Sequence, residues 1–500
     1  MTHKTARWAL LHVTDKAGIV ELAWALKDLG FRFIADSKTA ATLRQAELEA
    51  SDVSEHPGLL HALAAAGQTG IREKSSPRAP SLSLVAINLY PLAELAASEL
   101  AQEETLSYVD AEASALLRAA ARQFRQVVPL CDPEDYAPVL EALRQHGDLS
   151  LEKRQALAAK AFHYTAYYDS TVAQYLGSRW DKLPGELVMG LRRSAELSYG
   201  ENPHQKGALY ALSGARPWGV NQASLVHGRP LSFTHYFDLD TAWELAGELT
   251  EPACAIVKHG VPAGAAVSKS LAEAARLAYR GDPHGCLAGT AAVNREIDEE
   301  AAAFFAEEAL SCIAAPGFSA KALLALKAKK DIRLVTLPST LISPRELDFR
   351  SVAGGVLVQE RDHQPLPAAL EMRTRRAPTD LEMNALRLAW QTAKHCRTHA
   401  AVLARGGQTV GIGSGQTSRL DAVRLALQKS RERHPILSDE LPVVLASDGA
   451  LCADHILEAA GAGVKAVIQP GFSSEDEGAV EACDEKGVAM AFTGVRHYRH

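Results

Sequence analysis

Lys258 and His259 stand side by side after the apolar run Ala253-Cys254-Ala255-Ile256-Val257 and before Gly260-Val261-Pro262-Ala263-Gly264. An imidazole that titrates near neutrality can take a proton from a weak amine nucleophile, while an adjacent ammonium holds the negative charge that develops on an attacked carbonyl. The carboxyl end of a strand is also where ligand sites of α/β sheets gather. Successive residues of an extended strand face opposite ways, so the two side chains can share a pocket only where the chain has turned, as Gly260 and Pro262 permit. One surface lysine beside one buried histidine accounts for the same residues.

Three other segments offer chemistry. Gly411-Ile412-Gly413-Ser414-Gly415-Gln416-Thr417-Ser418-Arg419 reads as a glycine-rich loop opening a helix, with Ser418 and Asp421 as a capping box. Its backbone donors suit an anion, and a tight turn fits equally. It lacks the terminal Gly-Lys-Ser/Thr of a P-loop and the ribose-binding acid of the dinucleotide motif, which removes nucleoside triphosphate and NAD. The end of the chain, Arg496-His497-Tyr498-Arg499-His500, packs two cations, two histidines and a phenol directly behind the strand-like Ala489-Met490-Ala491-Phe492. A strand running straight into this tail predicts that the tail is tied down, against the fraying usual at termini. Near the N-terminus, Thr14-Asp15-Lys16-Ala17-Gly18 joins a strand to a helix and could hold a phosphate; a helix cap on Thr14 or Asp15 explains it as well.

The elements that must carry these residues alternate throughout. Trp8 to Val13 and Phe31 to Ala35 are strand-like, with Ile19, Val20, Leu22, Ala23, Leu26 and Leu29 at helical spacing between them, a βαβ opening. Ser83 to Leu89 and Val127 to Cys131 add strands to a Rossmann-like layer, and residues 151–193 read as helix. Tyr199 to Gln205 then breaks the pattern, which places a domain boundary just before it. Further strands are predicted at Ala253–Val257, Ser311–Ala315, Gly355–Gln359, Ala400–Leu403, Val443–Ala446 and Ala466–Gln469, with no short-period repeat. A second α/β region of this length implies two subdomains.

Composition excludes several classes. The 500 residues are 47% hydrophobic and carry a net charge of −7, so the chain buries a core and offers no overall basic field to nucleic acid. No apolar stretch approaches the ~18 residues of a membrane helix, and the first residues lack a signal-peptide pattern, so the expectation is a cytoplasmic protein. Seven widely spaced cysteines with no Cys-x-x-Cys pair indicate neither a disulfide framework nor a zinc site.

Taken together, Tyr199–Gln205 (YGENPHQ), Asp238–Leu245 (DLDTAWEL), Pro252–His259 (PACAIVKH), Arg350–Gln359 (RSVAGGVLVQ), Gly411–Arg419 and Asp484–His500 resemble, in order, signatures of the bifunctional purine-biosynthesis family that joins AICAR transformylase to IMP cyclohydrolase. The resemblance covers nearly the whole chain. It implies a methylglyoxal-synthase-like, Rossmann-like α/β domain over residues 1–193. Two tandem cytidine-deaminase-like α/β subdomains without zinc would follow over 194–500, split near 365–380. It also implies formyl transfer from 10-formyltetrahydrofolate to the 5-amino group of AICAR, by Lys258 and His259, in a homodimer with no metal. Tyr199, Arg419, Arg496, Tyr498 and His399 fall on substrate-binding positions, His399 where the family has asparagine. Thr14, Lys16, Tyr90, Asp110, Arg118 and Arg122 are what remains of the cyclohydrolase site.

The chain departs from the pattern at defined places. Ser198 replaces an arginine before the YGENPHQ motif, and Gly449-Ala450-Leu451-Cys452 replaces a phenylalanine-rich run. The phosphate loop Ser-Thr-Gly-Gly-Thr-Ala becomes Ala35-Asp36-Ser37-Lys38-Thr39-Ala40, which puts an anion where an anion should bind. The Gly-Arg-Val-Lys-Thr-Leu-His-Pro segment is missing between Ser54 and Asn88. The expectation is a working transformylase with absent or weak ring closure. The competing expectation is a paralogue that keeps the fold as a binding or regulatory subunit, or acts on a different amine.

Overall fold

The computed structural model describes residues 7–56, 63, 82–92, 94, 100–177, 182–213, 218–338, 347–434 and 441–500. The chain divides into two compact units, Met1–Arg192 with Ala211–Arg216, and Arg193–Tyr210 with Pro217–His500. In the first, five parallel strands run in the order Ala50–Asp52, Phe31–Ala35, Arg7–Val13, Leu82–Asn88, Val128–Leu130. Alternation along Arg7–Val13 sorts the core: Ala9, Leu11 and Val13 pack with Ile19, Leu22 and Leu26, while Leu10 joins Leu116, Leu117 and Ala161 on the other face. Strand order reverses between Arg7–Val13 and Leu82–Asn88, so the carboxyl ends of these two flank the crevice where such sheets take ligands.

Two local expectations change in this unit. Neither Thr14 nor Asp15 caps the helix Ile19–Asp28; its N-cap is Gly18 at φ 66, and Asp15 instead accepts from the Ala17 N–H at 2.9 Å. The helix expected over 151–193 is Leu151–Gly177, because Pro184 and Gly185 cannot extend it, and Leu191–Leu197 is a strand. Residues 178–181, and most of the stretch between Ser54 and Asn88 from which the Gly-Arg-Val-Lys segment is missing, lie outside the described residues.

Among its described residues the second unit holds a twelve-stranded sheet whose two halves repeat one plan. A hairpin of Ala253–Lys258 and Val261–Val267 is followed by Thr290–Val293, antiparallel to the first hairpin strand, and then by Cys312–Ala315 and Arg333–Thr336 in parallel. A hairpin of Ala401–Arg405 and Gln408–Gly413 is followed in the same way by Val443–Ser447, Val464–Gln469 and Ala489–Phe492. The inner hairpin strands meet antiparallel at Ala266 and Gln408. Each half is preceded by a helix with a capping box, Phe233–Glu248 on Ser232 and His235, and Asp380–Lys394 on Thr379 and Glu382. The strands are Ala- and Val-rich throughout because helices cover both faces.

This repetition reassigns the glycine-rich segment. Gly411 and Gly413 belong to a strand, and a Cβ on either would collide with the main chain of Ala426 or Ala422 in the helix Arg419–Arg433. They allow close helix–strand packing and do not cradle an anion; Gly264, against Ala278, does the same in the first half. Only Gly415, at φ 70, serves a turn. The Ser418 hydroxyl accepts from the Asp421 N–H at 3.4 Å as a one-way cap, without the reciprocal half of a capping box. The run Gly355–Glu360 pairs with Leu347–Val352 in a separate ribbon outside the large sheet.

Candidate active site

Lys258 pairs with Val261 across a two-residue hairpin turn made of His259 at φ 57 and Gly260 at φ 69. Two positive φ values define the tight turn that matches strand twist, and its first position ordinarily falls to Asn, Asp or Gly. The matching turn of the second half opens on Gly406 at φ 56. A histidine therefore stands at the left-handed first position that glycine takes in the sister hairpin, in a backbone region that L side chains rarely adopt.

The surroundings hold this turn in place. Asp238 accepts the Gly260 N–H at 2.6 Å, and a Cβ at Gly260 would run into the Phe237 ring. Burial pushes the Asp238 carboxyl up to about 6, against the Gly260 hydrogen bond and the nearby charges of His259 and Lys258. Lys258 Nζ donates to the Leu287 carbonyl at 2.7 Å. The turn follows the carboxyl end of a strand that is antiparallel to both neighbours, so the hairpin, and not a parallel crossover, is what places the pair.

At the same edge of the sheet the second half contributes a cluster. Arg419 donates to the Ala450 carbonyl at 2.6 Å, to the Tyr498 hydroxyl at 2.8 Å and to His399 Nδ1 at 2.8 Å. A guanidinium only donates, so His399 Nδ1 is the acceptor and its hydrogen lies on Nε2. Burial, followed by the Arg419 charge, holds His399 below the usual imidazole range, which keeps it neutral. Arg496 stacks on the Tyr498 ring at 4.2 Å, and its own charge faces solvent. Burial also raises the carboxyl of Asp448, next to this cluster, against the pull of Thr398, Ala400, Arg419 and His399.

The tail that brings Tyr498 here is anchored. Its Arg499 main-chain oxygen accepts from the Thr398 N–H at 2.9 Å, its guanidinium reaches Thr241 Oγ1 at 3.2 Å, and Arg350 and Arg397 both donate to the His500 carbonyl. His497 is buried with Nδ1 on the Asp362 carboxylate at 2.6 Å. A cavity of about 380 Å³ is lined by Phe237, Arg350, Arg397, Tyr498 and His500 among others, so the wall behind the Lys258-His259 turn and the tail share one space.

The structure thus gathers His399, Arg419, Arg496 and Tyr498, and sets Lys258 and His259 on the same sheet edge. Tyr199 belongs to a separate closed turn, where the Gly200 N–H meets the Gln205 carbonyl at 2.7 Å and Asn202 binds the Gln205 side chain. No hydrogen bond among the described residues joins it to the cluster. Asp238, Phe237 and Arg397 went unassigned in the sequence reading; the start of the Asp238–Leu245 signature, on a capped helix, was the signal for the first two.

In the first unit the crevice between Arg7–Val13 and Leu82–Asn88 is filled from within. Asn88 Oδ1 takes the N–H groups of Thr14 and Asp15 at 2.6 and 2.8 Å. Asp36 caps the helix Ser37–Gln45, accepting from the N–H groups of Lys38 and Thr39 at 3.1 and 3.2 Å. Lys16 Nζ reaches the Val13 carbonyl and Thr39 Oγ1, and burial lowers its pKa despite Asp36 nearby. Asp110 caps the helix Ala111–Arg122 and meets His12 Nε2 at 2.9 Å, Arg118 pairs with Asp169 at 2.8 Å, and Tyr90 packs on Tyr108 at 5.0 Å. Arg122 ends that helix. Among the described residues, the N–H groups of Thr14, Asp15, Lys38 and Thr39 and the Lys16 ammonium are all held by the protein's own acceptors.

The family model described as AICARFT/IMPCHase bienzyme matches residues 120–429. A bifunctional purine biosynthesis protein PurH of Chloroflexus aurantiacus is 42% identical, with 98% of each chain covered. Proteins of the same name from Myxococcus xanthus and Bacillus subtilis are 38% and 35% identical over 98% and 99% of this chain and all of their own length. With a model match over more than half of the chain and relatives aligned from end to end, this protein belongs to the AICARFT/IMPCHase bienzyme family.

Proposed function

We propose that the second unit is a purine-biosynthesis formyltransferase, moving the formyl group of 10-formyltetrahydrofolate to the 5-amino group of AICAR. The observation that carries this reading is the Lys258-His259-Gly260 turn, a histidine kept in a left-handed conformation where the sister turn uses glycine. His259 takes a proton from the amine as its nitrogen bonds to the formyl carbon, and Lys258 stabilises the oxyanion. The bond to folate N10 then breaks, and N10 leaves with the proton returned by His259. Arg496 and Tyr498 hold the ribotide; Arg419, engaged on three sides, orients Tyr498 and His399 and does not reach for substrate itself. His399 Nε2–H offers a donor to the ligand.

The resemblance of the sequence to this family, with a chain that divides into two compact units near residue 192, supports residues 1–193 as a methylglyoxal-synthase-like domain and 194–500 as paired cytidine-deaminase-like subdomains. The family resemblance of the sequence points further to a homodimer working in the cytoplasm, with Tyr199 reaching substrate in the assembled enzyme. The chemistry calls for no metal ion. Purified protein supplied with AICAR and 10-formyltetrahydrofolate should form formyl-AICAR, followed separately from IMP. No formyl-AICAR at saturating substrates would refute the assignment in favour of a paralogue that binds without reacting or accepts a different amine.

A second reading concerns the first unit, where ring closure to IMP is the family's other activity. The internal cap on Asp36 supports a unit in which that activity is absent or weak. Thr14, Lys16, Tyr90, Asp110 and Arg122 then serve packing and capping.

A further inference from the structure

Phe472 is 84% exposed and sits at φ 66. A bulky aromatic residue in the left-handed region is strained, and a side chain this exposed gains no packing within the chain to offset it. Strain retained without packing is the mark of a functional position.

The loop that holds Phe472 is tied by hydrogen bonds to its neighbours and belongs to the edge of the sheet already described. It follows the strand Val464–Gln469, which is parallel to Val443–Ser447 and Ala489–Phe492, so their carboxyl ends lie together and lead to Phe472, to Asp448 and Ala450, and to Arg496. The buried Gln469 side chain accepts from the Leu451 N–H at 2.5 Å and donates to Asp476 at 3.2 Å, and Asp476 takes the Ser473 N–H at 2.9 Å. Across the loop, the Gly494 N–H meets the Pro470 carbonyl at 3.0 Å. The tip of the phenyl ring lies near Gly494: a Cβ there would come within 3.8 Å of Phe472 Cζ. The ring thus stands exposed beside the chain that leads two residues later to Arg496.

We propose that Phe472 is a stacking platform for the fused heteroaromatic ring of the reduced-folate co-substrate, a specificity-determining residue of the formyl-transfer site. The inference rests on the proposed formyltransferase reading. A flat, exposed ring at the rim suits the larger ligand, whose ring system extends outward from the reacting formyl group, while Tyr498 and Arg496 serve the smaller one. It also returns an aromatic surface to a neighbourhood in which Gly449-Ala450-Leu451-Cys452 carries none.

The test uses the full chain with Phe472→Gly and Phe472→Tyr. Phe472→Gly should raise the KM for 10-formyltetrahydrofolate about tenfold, as loss of an aromatic stacking partner does. The KM for AICAR and kcat should stay within twofold, and the melting temperature should not fall, because glycine accepts the backbone conformation. Phe472→Tyr should behave as wild type. Calorimetric binding of folic acid should show the same tenfold loss, so the platform is judged even if turnover is absent and the formyltransferase reading fails. Unchanged folate KM and affinity, or a change confined to AICAR, would overturn the proposal. A glycine variant that sediments as a smaller species would make Phe472 an interface residue instead, and wild-type protein that forms formyl-AICAR but does not bind folic acid would overturn the platform while leaving the formyltransferase reading standing.

Discussion

Replacing His259 by glycine separates chemistry from folding, because in the second half of the sheet a glycine, Gly406, takes the same left-handed first position of the hairpin turn. A left-handed conformation costs an L residue about 1–2 kcal/mol, and glycine removes that cost while adding about 0.5–1 kcal/mol of unfolded-state entropy. The net effect on stability should lie between zero and a gain of about 1.5 kcal/mol. The hydrogen bond from Gly260 to Asp238 and the contact with Phe237 do not involve the imidazole and should persist. Loss of a general base should lower kcat by about 10²–10⁴. The assay pairs steady-state formation of formyl-AICAR with calorimetric unfolding of the same preparation. A melting temperature several degrees lower, with activity following the folded fraction, would show that the imidazole supports the turn; unaltered kcat on folded protein would remove His259 from the mechanism.

Supplied directly with formyl-AICAR, the protein should form IMP far below a normal enzymatic rate, and a normal rate would show that Arg118 or Arg122 has taken over the phosphate. Asp238→Asn should flatten a pH dependence. With the folded carboxyl near 6 and the unfolded one at 3.8, the native state binds more protons in that window, so wild-type stability falls as pH rises from 3.8 to 6. The difference corresponds to about 3 kcal/mol; parallel stability–pH curves for the two proteins would contradict the shift. Arg419→Met should lower formyl transfer and raise the KM for AICAR through disordered Tyr498 and His399, and an unchanged KM would show that those side chains hold themselves.

The alternation of strands and helices was legible because each strand is a short apolar run ended by Gly, Pro or Asp. The Lys258-His259 turn was legible for the same local reason: Gly260 follows at once. The duplication in the second unit was not, since its halves share hairpin geometry and glycine positions such as Gly264 and Gly411, with little residue identity. Gly411 and Gly413 show a related limit, because a glycine that admits a helix and one that admits an anion look alike in sequence. The anchoring of the tail depends on Thr241, Arg350 and Arg397, all far away along the chain. For Asp36 the sequence showed an anion in the wrong place, and only the fold showed which N–H groups it satisfies.

The cap on the helix Ser37–Gln45 also sets a competition. The Asp36 carboxylate is tethered to the donors it occupies, so it meets them at an effective concentration in the millimolar range or above, whatever the cell contains. A phosphate ester present at micromolar levels would need about a thousandfold intrinsic advantage to hold the same N–H groups half of the time. The first unit carries a built-in competitor that cannot be diluted, and Asp36→Gly should raise its anion affinity more than any cation added around the crevice.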